Sequence, residues 1–120
     1  MFVTVSSVAA MLVMAASPAD LSDLARNAYG QCIEQNSAAL LDRKADGSEF
    51  SKNFSKVCET ERKAFADAVI AYERSEGSSA KEAREYANEE EEMILEDALE
   101  VYQAHLANNS RPSLTGSMAS

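Results

Sequence analysis

Four features of this 120-residue chain could do chemistry: the cysteine pair Cys32 and Cys58, a run of carboxylates late in the sequence, the single histidine His105, and the acidic loop around Asp46. The cysteines carry the most information. An even number of cysteines in a small exported domain points to a structural disulfide, and 27 residues closed by such a bond contribute about 3 to 4 kcal/mol in the chain-entropy model. A redox or metal pair is the rival chemistry. It lacks support, because the sequence contains neither Cys-x-x-Cys nor a haem-attachment motif.

The remaining polar residues suit catalysis or metal binding poorly. Asp42, Asp46 and Gly47 match the first, fifth and sixth positions of an EF-hand loop, but Lys44 holds the third and Asn53 the twelfth, where a bidentate Glu belongs. Di-metal carboxylate bundles need Glu-x-x-His on paired helices, and the chain has one histidine and no such motif. His105 is placed near a helix C-terminus, which suits packing or capping. Serines are plentiful, yet no base and orienting partner accompanies them. Four scattered glycines form no phosphate cradle. The chain is therefore expected not to be an enzyme, and no cofactor is implied.

Charge supplies the second clue. The formal net charge is −9, and between Lys81 and Ala107 nine acids face only two bases. Glu85, Glu89, Glu92, Glu96 and Glu100 recur at three- and four-residue spacing, which places them on one helical face, where like charges cost a few tenths of a kcal/mol per pair. Lys52, Lys56, Arg62 and Lys63 could relieve that repulsion. The plain reading of this face is a solvated surface; the functional one is a docking surface for a basic protein or peptide, or a low-affinity site for divalent cations. Its sign disfavours nucleic acid, whose phosphates are bound by clustered Lys and Arg.

These residues must be positioned by helices. Residues 1–19 include the uncharged run from Val8 to Ala16, a length that suits a signal peptide and is too short to span a bilayer, with small residues before an expected cut between Ala19 and Asp20. No Lys or Arg precedes the run, which departs from the usual pattern. The expected compartment is secreted or periplasmic, with no stable membrane insertion after cleavage. Asn53-Phe54-Ser55 and Asn108-Asn109-Ser110 are glycosylation tripeptides that also arise by chance.

A bundle domain is expected over residues 20–108, followed by a disordered polar tail over 109–120. Punctuation divides the domain into helices from about Asp20 to Leu41, Glu49 to Ser75 and Ala80 to Ala107. Ser48 is placed to cap the second, and Ser79 with Glu82 forms a capping box for the third. The expected apolar stripes are Leu21, Ala25, Ala28, Cys32 and Ala39; Phe50, Phe54, Val57, Phe65, Ala68 and Tyr72; and Ala83, Ala87, Ile94, Ala98, Val101 and His105. The fold class is all-α: an antiparallel three-helix bundle whose first two helices form a hairpin joined by a disulfide. Folding that hairpin about Ala45 levels residues whose numbers sum to 90, and 32 and 58 satisfy the rule.

Two functions fit these observations. The first is a small acidic interaction module that binds or inhibits a basic partner. The second is a carrier in the cell envelope for a small ligand or cation, with Tyr29, Tyr72, Tyr86 and Tyr102 as an amphipathic lining.

Overall fold

Three of the helices begin where a side chain satisfies orphan amides. The computed structural model describes residues 16–112. Within them, Ser17 caps α1 (Pro18–Asp42) through a capping box with Asp20, and Pro18 occupies the first turn, where its missing N–H is harmless. Asp46 caps α2 (Gly47–Val57), its Oδ1 accepting from the Glu49 amide at 2.9 Å. Ser48, the expected cap, lies inside that first turn. Helix α3 (Glu59–Ser75) follows after one residue, and Ser79 caps α4 (Ala80–Asn108) with Glu82 as expected. Between α3 and α4, Gly77 adopts φ +104°, a conformation that a side chain would strain. The expected leader falls mostly outside the described residues; its last positions, Ser17 to Ala19, form the cap and first turn of α1. Of the expected tail, Asn109 is the left-handed cap of α4, and residues 113–120 lie outside the described range.

The architecture corrects the three-helix expectation, because the described residues form four helices. The segment read as one helix from Glu49 to Ser75 divides at Cys58, whose φ −102° and ψ 30° depart from helical geometry and whose side chain gives α3 no cap. The disulfide consequently does not staple a hairpin of the first two helices. It links Cys32, midway along α1, to the junction between α2 and α3. Both halves pack on α1 and α4, α3 far more extensively than the shorter α2.

The antiparallel pairing expected of the hairpin belongs to α1 and α3. Tyr29 stacks on Phe65 with ring centroids 6.1 Å apart, and the Arg26 guanidinium sits 5.1 Å from the same ring. The buried stripe of α1 is Tyr29, Ile33, Leu40 and Leu41, rotated from the expected one; Leu21 and Leu24 are exposed. On the segment after the first turn, Phe50, Phe54, Cys58, Phe65 and Val69 are buried, whereas Val57 is exposed. In α4, Ala83 and Ala87 are buried as expected, but Tyr102 replaces Val101 as the core residue.

Helix α2 is anchored by an aromatic cluster. The Phe50 ring lies 4.7 Å from that of Phe54 and 4.6 Å from that of Tyr102, distances at which aromatic pairs add to simple burial. The Tyr102 hydroxyl donates to the Ala45 carbonyl at 2.7 Å, tying α4 to the turn before α2. At Gly47 a Cβ would come within 2.9 Å of the Gln103 side chain and 3.2 Å of Leu99, so a glycine here permits a close approach of α2 to α4.

Removing the disulfide by Cys32→Ala/Cys58→Ala is expected to lower the unfolding free energy by about 3 to 4 kcal/mol in denaturant titrations. Equal midpoints for the oxidised and substituted proteins would refute a stabilising role.

Candidate functional site

Helix α4 distributes its acids between two environments. Two of them face the bundle. Glu90 accepts from Arg26 at 2.6 Å and Glu91 from Arg62 at 3.2 Å, both carboxylates being well shielded from solvent. Arg26 also lies over Phe65, so a single side chain neutralises an acid and covers an aromatic face. Arg62 reaches Glu59 at 3.9 Å as well, and its Nε is buried with no hydrogen-bond partner among the described residues. Tyr29 packs beneath these ions: burial first, then the Glu91 carboxylate, raises its pKa, with Arg62 opposing.

The five acids singled out from spacing behave differently. Glu85, Glu89, Glu92, Glu96 and Glu100 are all exposed, and none forms an ion pair among the described residues. The bases expected to relieve them are partly engaged elsewhere, Arg62 with Glu91 and Lys63 with Glu59 at 3.5 Å. At the start of the helix, hydrogen bonds from the Ser79 backbone and side chain hold the Glu82 carboxyl below its usual range.

The other candidates have structural employment. Cys32 and Cys58 are joined, with Cα atoms 6.0 Å apart. Asp46 caps α2 and Asp42 pairs with Arg111, so the acidic loop does not converge on a cation. Among the described residues no cluster of His, Cys, Asp and Glu could hold a metal. His105, half-buried in the last turn of α4, meets the Ser110 hydroxyl through Nδ1 at 2.9 Å.

An apolar cleft between α1, α2 and α4 was not legible in the sequence. Its volume is about 220 Å³, with Ile33, Phe50 and Tyr102 as buried floor and Ile94, Ala98 and Val101 along one wall. Gly30 leaves the facing wall of α1 bare. Of the four tyrosines expected to line a carrier, only Tyr102 borders this space; Tyr72 and Tyr86 border a different depression, beside Arg26 and Glu90, and Tyr29 is in the core. The small residues Gly30 and Ala98 were the available signal, but their opposition depends on how α1 and α4 pack.

No protein-family model matches this chain, and no curated protein or solved structure shows significant similarity to it. Among the described residues, no helix is long and apolar enough to cross a membrane. The described residues make up an all-helical bundle domain closed by one disulfide.

Two outcomes test this division. Glu91→Gln, which strips Arg62 of its shielded partner, should cost about 1 to 3 kcal/mol of stability. Glu89→Gln, on the exposed face, should stay within about 0.5 kcal/mol; equal losses in denaturant titration would contradict the division. Burial also raises the pKa of Tyr102, as it does that of Tyr29. The unfolded chain therefore loses these phenolic protons first, and stability should be intact below pH 10.0 and decline as pH rises above it. Ionisation of Tyr29 and Tyr102 themselves in protein that remains folded would contradict this.

Proposed function

We propose that this protein is a small exported interaction module that binds a basic protein or peptide through the exposed face of α4, and that it acts by binding rather than by catalysis. The observation behind this reading is the unequal treatment of the acids on one helix. Glu90 and Glu91 are neutralised by Arg26 and Arg62, while five others stand in solvent without counter-ions among the described residues. Solubility alone needs charge but no such alignment. Aligned carboxylates on a rigid helix steer an oppositely charged partner and fix its register, whereas a flexible tail would have to be ordered on binding. Secretion or residence in the periplasm fits both the disulfide and the apolar N-terminal run.

Such binding is electrostatic and must be screened. A lysine-rich peptide titrated calorimetrically into the protein should bind progressively more weakly as salt rises from about 0.01 to 1 M, over which the screening length falls from about 30 to 3 Å. Replacing Glu85, Glu89, Glu92, Glu96 and Glu100 together by Gln should abolish the interaction while leaving the helical circular dichroism unchanged. Affinity that is independent of salt, or retained by the quintuple variant, would rule out this face as the docking surface.

A further inference from the structure

Helix α4 leaves three large apolar side chains in solvent: Tyr86 at 42%, Met93 at 54% and Val101 at 54% exposure. Each directly follows one of the five glutamates, Glu85, Glu92 and Glu100. Consecutive residues of an α-helix lie about 100° apart around its axis, so these three form a second row parallel to the acidic one. That row runs along the α1 side of the helix. At its start Tyr86 borders a depression beside Arg26 of α1, and at its end Val101 borders the cleft between α1, α2 and α4. The polar groups of the cleft are already engaged. Glu34 has a partner, the His105 Nδ1 meets the Ser110 hydroxyl at 2.9 Å, and the Ser37 and Tyr102 hydroxyls donate to the Glu34 and Ala45 carbonyls. Asp97, between Met93 and Val101 on the chain, places one further negative charge at the rim. An apolar cavity of about 150 Å³ accommodates benzene, and this cleft of about 220 Å³ takes one bulky uncharged side chain.

We propose that this surface docks a basic amphipathic helix of another protein, whose apolar stripe covers Tyr86, Met93 and Val101 and sets one bulky uncharged side chain in the cleft, while its Lys and Arg residues meet the glutamates. Such docking rests on the acidic face being a surface for a basic partner; it adds the partner's conformation and a second row of contacts. Two parallel rows select a helix. An extended strand turns successive side chains to opposite faces and so offers α4 a single row, whereas an amphipathic helix carries an apolar and a charged row side by side. From Tyr86 to Val101 the row spans 15 residues, about 22 Å, which a partner of about four turns covers. Met93 at its centre is unbranched and adapts to the side chain laid against it. A second copy of this chain fits poorly, because it would bring its own glutamates and a net charge of −9 against the same face.

The probes are two lysine- and leucine-containing peptides of identical composition and about 18 residues, long enough to span the row. In one the leucines recur at three- and four-residue spacing; in the other they are permuted so that no face is apolar. Titrated calorimetrically into the full chain, the patterned peptide should bind at least about ten-fold more tightly, the gain from covering two exposed side chains, and should become helical as it binds. Met93→Gln/Val101→Thr, at two solvent-exposed positions, should remove that preference and leave the affinity for the permuted peptide unchanged. Gly30→Leu, where a Cβ meets nothing within 4 Å, fills the cleft and should weaken the patterned peptide alone. If neither peptide binds, the acidic face is not a docking surface and the helix assignment falls with it. If both bind equally, or the double variant keeps the preference, the acidic face stands and the apolar row is no part of it. A dimer of the full chain that is lost in the double variant would put a second copy on the row and overturn the assignment.

Discussion

The bond between Cys32 and Cys58 is the constraint around which the bundle is arranged. It joins the middle of α1 to the one-residue break between α2 and α3, so a single covalent link sets three helices relative to one another. Cys58 is fully buried, and the Asn36 side-chain amide donates to the Cys32 carbonyl at 2.8 Å beside the bond. At this junction the backbone leaves helical geometry without a capping side chain. A break of that kind exposes orphan amides and would otherwise favour refilling the helix. The crosslink and the burial on either side of it hold the bend: Phe50 and Phe54 before it, Phe65 and Val69 after it.

From that bend follows the division of labour on α4. Because α3 runs along α4, Arg62 is delivered to Glu91, and because α1 lies alongside, Arg26 is delivered to Glu90. Both acids are thereby taken into the structure of the bundle. The acids on the opposite side receive no such partners among the described residues and stay in water, where their mutual repulsion is tolerable through solvation and screening. One helix thus serves as a packing element on one side and as a charged surface on the other.

The cleft is bordered on one side by α2. This helix packs on the later part of α4 through Phe50 and Tyr102, and the close approach at Gly47 brings its start against Leu99 and Gln103. Across from it, Gly30 contributes no side chain. The resulting space is bounded by three helices and has an apolar floor because the Ser37 and Tyr102 hydroxyls are turned to backbone carbonyls.

How much of this could be read beforehand depends on whether the cause is local. The all-helical class, the α4 start at Ser79, the disulfide partners and the exposure of the five glutamates rest on short-range rules of spacing, capping and cysteine parity, and the structure agrees with each. The fourth helix was not legible, because no glycine or proline marks Cys58 and the apolar residues on both sides keep a helical phase. The stripe of α1 was misjudged for a related reason: Ala25, Ala28 and Cys32 share a face, but Tyr29 and Ile33 are larger and bury more area when α3 and α4 cover them from two directions. The sequence by itself determined which segments are helical, which cysteines pair and where negative charge gathers, because those depend on neighbours within one or two turns or on there being only two cysteines. Only the tertiary structure decided the break at Cys58, the capture of Glu90 and Glu91 and the cleft beside Tyr102, because each arises where residues distant in sequence compete for the same buried surface.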